Sequence, residues 1–191
     1  MNSLSIFQQK KQNLNFPPSQ KKKKKFPMLS VIVFLSLAFL ATTTISGPEP
    51  NPTPVDQFLS AHNTARSDVG VGPLTWSPKL ASNAGRIVRA QRDQKECGFA
   101  DMGSSPYGVN QEWASYPASP VEVVDSWVGP KAYYNYTENA CAPAHECGTY
   151  TQVVWRKSVG LGCAQAHCPK GETLTVCLYF PHGNVQGERP Y

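Results

Sequence analysis

No stretch of this 191-residue chain stays apolar for the about 20 positions that a membrane-spanning helix needs. The longest apolar run, Leu29–Ala41, ends after about a dozen residues. It follows the lysine run Lys21–Lys25 and precedes small residues and Gly47, which is the layout of a cleaved secretory signal peptide. A retained signal anchor is the competing reading of the same run, and the polar, Gln- and Asn-rich lead of residues 1–27 allows translation to begin at Met28 instead. The chain also has no basic surplus outside that lead. Seven of its 18 Lys and Arg are lysines within residues 1–46, so 11 remain against 13 acidic residues, and the net charge falls from +5 to −2. A mildly acidic extracellular domain carries no electrostatic footprint for nucleic acid, and no stable membrane anchor is expected.

Signatures of catalysis are missing as well. There is no Gly-x-Ser-x-Gly elbow and no Walker loop, and no serine or cysteine stands with a convincing His/Asp set. His145-Glu146 begins the zinc-protease helix signature His-Glu-x-x-His, but Thr149 occupies the place of the second histidine. The six cysteines, Cys97, Cys141, Cys147, Cys163, Cys168 and Cys177, are spaced too irregularly for a zinc cluster. An even number in an oxidising compartment points to three disulfides, with the pairing open. The residues alone therefore give no enzyme and no cofactor.

What remains is about 145 residues, enough for one domain with its own core. After residues 1–46, the basic lead and signal peptide, residues 47–54 form a stiff Pro-rich linker, and the domain spans residues 55–191. Val55–Val69 carries Val55, Phe58, Leu59, His62, Ala65 and Val69 at helical spacing and closes at Gly70. Lys79–Asp93 reads as a second helix through Leu80, Ala84, Ile87, Val88 and Gln91. Ser119-Pro120 opens a third, with Val121, Val124, Trp127 and Val128 on one face. Two alternating strands, "LGCAQAHC" and "TLTVCLYF", flank the turn "PKGE". Helices interleaved with strands without a repeat predict an α+β fold, a three-layer α-β-α sandwich. His62 reads as a structural helix histidine bonded to nearby backbone. Trp76, Trp113, Trp127 and Trp155 read as core.

The segments "AHNTARSDVGVGPLTW", "YGVNQEWAS", "VDSWV", "YYNY", "CGTYTQVVW", "LGCA" and "PHGNVQGERPY" fall in order over residues 55–191. In this, the chain resembles the plant pathogenesis-related protein 1 family of the CAP superfamily, most of all a branch described from pistil tissue. The resemblance implies secretion to the apoplast or cell wall, a monomer, and disulfides joining Cys97 to Cys168, Cys141 to Cys147 and Cys163 to Cys177. It also implies a central cleft in which two histidines and two glutamates hold a divalent metal. In this sequence those four positions read Asp101, Val109, Pro130 and Thr149, so no metal is expected. One route back is a helical offset that returns Glu112 and His145 to the cleft.

In the resembled family the loop after the third helix is implicated in sterol binding. Here that loop is "WVGPKAYYNYTENAC", and Trp127, Tyr133, Tyr134 and Tyr136 are its candidate ligand-binding residues for a sterol or other lipid. The competing reading packs these tyrosines on the sandwich edge. Asn135-Tyr136-Thr137 is a glycosylation sequon inside the same run, so a glycan on Asn135 would crowd a ligand. Pro181–Tyr191 resembles a releasable signalling peptide, although Leu178 departs from the usual residue before it; the alternative is a segment folded back over the core through Tyr191. The expectation is a secreted, non-enzymatic, defence-associated lipid binder, with the peptide precursor as the alternative.

Overall fold

The computed structural model describes residues 51–191; the basic lead, the signal-peptide run and the start of the linker lie outside the described residues. The first helix, α1, spans Pro54–Ser67, so Pro54 opens the helix and does not close the linker. The reason is local: proline lacks only an N–H that the first turn leaves unpaired anyway. Thr53 completes a capping box with Asp56, whose carboxylate takes both the Thr53 N–H and its hydroxyl.

After the short strand β1 (Thr75–Trp76) comes α2 (Pro78–Gln94), capped by Ser77. Strand β2 (Gly108–Ala114) follows, then α3 (Pro120–Val128), which opens with a second capping box, Ser119 with Glu122. A 3₁₀ turn (Gly129–Tyr133) leads into the small ladder β3 (Tyr134–Asn135) and β4 (Ala140–Cys141). Helix α4 (Gly148–Val153) and the hairpin β5 (Gly160–His167) and β6 (Thr173–Phe180) complete the regular structure.

The main sheet has the order β1-β5-β6-β2, with β1 parallel to β5 and the other pairs antiparallel. This places β6 inside the sheet, between β5 and β2. Its two faces feed two different cores. Leu174, Val176 and Leu178 pack with Leu80, Ala84 and Val88 of α2. Cys177 and Tyr179 pack with Phe58, Val124, Trp127 and Tyr150 from α1, α3 and α4. The layers are thus α2, sheet, and the α1/α3/α4 group, the α-β-α sandwich read from the sequence. Gly162 is required by this closeness, because a Cβ there would lie 2.1 Å from the Ala81 backbone nitrogen.

The three disulfides are Cys97–Cys168, Cys141–Cys147 and Cys163–Cys177, the pairing implied by the resemblance. The last joins two residues directly opposite in the β5/β6 register.

Several expectations change. On α3 the buried face is Pro120, Val123, Val124 and Trp127, whereas Val121 is exposed; the stripe runs i, i+3, i+4, i+7 from Pro120. The β6 strand does not alternate, since helices cover both its faces and Thr173 to Tyr179 are all buried. Trp113 is 44% exposed and not core, because β2 is the sheet's outer strand. Trp76 is half-buried against the core, and Trp127 and Trp155 are fully inside.

Candidate functional site

Two neighbouring regions carry the candidate residues: a cleft beside β2 and α4, and the aromatic loop that follows α3. The cleft is floored by a chain of hydrogen bonds that begins in the core. His62, fully buried, has Nδ1 2.7 Å from the Phe58 carbonyl, so Nδ1–H donates there and Nε2 accepts from the Tyr179 hydroxyl at 2.8 Å. That hydroxyl in turn accepts from Asn110 Nδ2 at 3.2 Å, and the same Nδ2 donates to the Thr149 carbonyl at 3.0 Å. Burial drives the His62 imidazole down to about 4 and pushes the Tyr179 phenol up, so both are neutral. His62 is therefore a strut between α1 and the cleft floor. Asn110 was not singled out from the sequence; its position beside Val109 was the only signal.

The cleft itself measures about 530 Å³ and brings together Val109, Asn110, Thr149, Gln152 and His182. Gln152 is buried and spent internally, accepting from the Gly183 N–H at 3.0 Å and donating to Ser158 at 3.3 Å. Of the four positions read as replaced ligands, only Val109 and Thr149 line this cavity. Asp101 lines two neighbouring hollows, where its carboxylate accepts from the Gly103 N–H, and Pro130 sits in the 3₁₀ turn.

The helical offset for Glu112 and His145 does not hold. Residues 108–114 are a strand, so Glu112 stands on the opposite face from Val109 and about 10 Å along it. Its carboxylate accepts from Ser126 Oγ, while the His145 ring stacks on Tyr133 at 3.5 Å.

The loop gathers more aromatic surface than its sequence reveals. Tyr134 packs against Tyr150 and Tyr191, and its hydroxyl donates to Asn139 at 2.5 Å. Tyr136 stacks on Tyr191, centroids 4.7 Å apart and planes within 9°, and Arg189 lies over its ring. Trp127 does not join them: it is 1% exposed, in the core, with Nε1 donating to the Gln111 carbonyl. Tyr134 and Tyr136 both face Tyr191; Asn135 between them is exposed, and its Oδ1 accepts from the Glu138 N–H at 3.2 Å in the turn that follows.

A hollow of about 330 Å³ lies between this loop and the Pro181–Tyr191 segment, lined by Tyr134, Thr151, Trp155, Val185 and Pro190. Trp155 is buried, and among the described residues its Nε1 has no hydrogen-bond partner. Arg66, also missed, is buried and has no acidic partner among the described residues. Its guanidinium donates to the carbonyls of Gly72, Val153, Trp155 and Ser158, joining α1 to the end of α4.

The family model described as "CAP: Cysteine-rich secretory protein family" matches residues 59–179. The chain belongs to the CAP family. Its CAP domain is 56% identical to the STS14 protein of Solanum tuberosum over 137 residues, 71% of this chain and 64% of that one, so the aligned part spans less than two thirds of that relative. It is 42% identical to pathogenesis-related protein 1 of Arabidopsis thaliana over 161 residues, 84% of this chain and 94% of that one. Among solved structures, BmVAL-1 shares the fold with a TM-score of 0.59 at 21% identity, over 76% of this chain and 84% of that one. This CAP domain is thus of the plant pathogenesis-related type.

The divalent metal that the family resemblance implies does not fit this cleft. Valine and threonine replace two donors, an amide N–H$_2$ faces the Thr149 carbonyl, and among the described residues no three His, Cys, Asp or Glu side chains converge.

Proposed function

We propose that the protein is a secreted, non-enzymatic, defence-associated protein that binds a sterol or other lipid in the apoplast or cell wall, as a monomer formed by residues 55–191. The observation that carries this reading is the hollow between the aromatic loop and the Pro181–Tyr191 segment. Its wall joins Tyr134, Val185 and Pro190 to the polar side chains of Asn139, Thr151, Asn184 and Glu188, and includes Trp155, whose Nε1 has no hydrogen-bond partner among the described residues. A flat ring system with a hydroxyl can pack on such rings and bond to such a polar rim. Tyr133 and Tyr136, on the same loop as Tyr134 of its wall, are exposed. Asn135 is exposed on the same loop, so an unglycosylated chain is the form in which binding is to be measured first. The cleft supplies no acid–base pair, since His182 is the one imidazole or carboxylate lining it.

Saturable binding of a labelled sterol to purified residues 47–191 tests this. Tyr133→Ala with Tyr136→Ala is expected to weaken binding about tenfold; absence of saturable binding would remove the reading. A second reading, a precursor of the peptide Pro181–Tyr191, is favoured by one observation. That segment forms no helix or strand and begins beside exposed Phe180. A mass spectrum of extracellular fluid that shows the peptide's mass would support it.

A further inference from the structure

The Tyr191 ring fills a slot whose walls come from two separate elements, the aromatic loop and α4. Tyr136 stacks flat against it, Tyr134 meets it edge-on at 6.5 Å, and the Tyr150 hydroxyl lies 3.2 Å from the Tyr191 hydroxyl. Tyr136 also donates from its own hydroxyl to the terminal carboxylate of Tyr191 at 2.5 Å. The slot therefore reads four features of its occupant: a planar ring, a hydroxyl at the far end, an edge, and a carboxylate on a short spacer. Burial pushes the Tyr150 phenol up, which keeps that hydroxyl available as a neutral partner.

We infer that this slot is a binding site for small phenols bearing a carboxylate on a short chain, held closed in cis by Tyr191. The backbone around Tyr191 is fastened independently of its ring. The Arg156 N–H donates to the Pro190 carbonyl at 2.7 Å, Asn139 donates to the Glu188 carbonyl at 3.0 Å, and Arg189 donates to the carbonyls of Tyr136 and Thr137. The ring itself is half-buried and held by one stacked pair, one edge contact and one hydroxyl contact, each a modest attraction. It can swing out while the segment stays in place, and the apparent affinity for a ligand is lowered by the fraction of time it is in. This ligand class differs from the lipid proposed above, and the test contains no lipid, so either inference can fail without the other.

The experiment uses 3-(4-hydroxyphenyl)propanoate, which reproduces the Tyr191 ring, hydroxyl and carboxylate, titrated into the full chain and read by calorimetry or ligand-observed NMR. Tyr191→Ala is expected to bind it at least tenfold more tightly than wild type. 3-Phenylpropanoate, lacking the hydroxyl, is expected to bind that variant about fivefold more weakly. Tyr191→Phe keeps the ring and loses only the Tyr150 contact; it is expected to fall between wild type and Tyr191→Ala, and it serves should the alanine variant not fold. Equal affinity for wild type and the variants, or no saturable binding to folded Tyr191→Ala or Tyr191→Phe, would overturn the inference.

Discussion

His62 shows how a single buried side chain makes stability depend on pH. Its folded-state value lies near 4, against the usual 6.5 in an unfolded chain, because burial disfavours the charged ring. Between those values the unfolded chain binds the extra proton and the folded one does not. Stability from this residue is therefore complete above about pH 6.5, falls as pH drops towards 4, and levels off below, a loss of roughly 3 kcal/mol. Denaturant titrations across that range should show the slope, and His62→Gln should flatten it. Arg66 is the second such residue. Burial lowers its guanidinium to about 10, still charged at neutral pH, and it holds four carbonyls. Lysine cannot reach all four with one ammonium, so Arg66→Lys should cost about 3 kcal/mol in denaturant unfolding.

Helix α3 separates what periodicity can and cannot reveal. Five apolar residues besides Pro120 on a nine-residue helix allow two registers for the buried stripe, and only the neighbours decide between them. Val123→Ala, in the core, should cost about 2 kcal/mol, whereas Val121→Ala, exposed, should stay within about 0.5 kcal/mol by thermal unfolding. The start of α3 and the β5/β6 hairpin were legible because Ser119 and "PKGE" act locally, whereas the caps Thr53 and Ser77 of α1 and α2 were not read. Strand β2 was not. Its residues Gly108–Ala114 acquire their conformation from pairing with β6, a contact over sixty residues away in the chain. The same non-locality hid the aromatic slot. Tyr134 and Tyr136 were visible in the loop, but Tyr150 and Tyr191 join them only after α4 and the Pro181–Tyr191 segment fold against it. Trp127, read both as core and as a ligand residue of the loop, is adjacent in sequence to the loop and lies in the core.

The assembled domain distributes its covalent staples unevenly. Cys97–Cys168 closes 71 residues and ties the end of α2 to the hairpin, whereas Cys141–Cys147 closes only six. On the chain-entropy account, loss of the first costs about 4 kcal/mol and of the second about 2 kcal/mol. Paired Cys→Ala variants compared by denaturant midpoint would check the order. The two cores on either side of the sheet keep the cleft and the aromatic loop on one scaffold while giving them different chemistry. The cleft presents amides, a valine and a threonine where the resembled family holds its metal; the loop presents rings, a hollow and an indole N–H with no partner among the described residues. Ligand binding should therefore follow the loop and ignore the cleft. The direct measurement is the binding isotherm of a labelled sterol to residues 47–191, recorded once with added zinc and once with a chelator. Saturable binding with the same Kd within twofold in both is the predicted result, and a Kd that collapses in chelator, or no saturation in either condition, would contradict it.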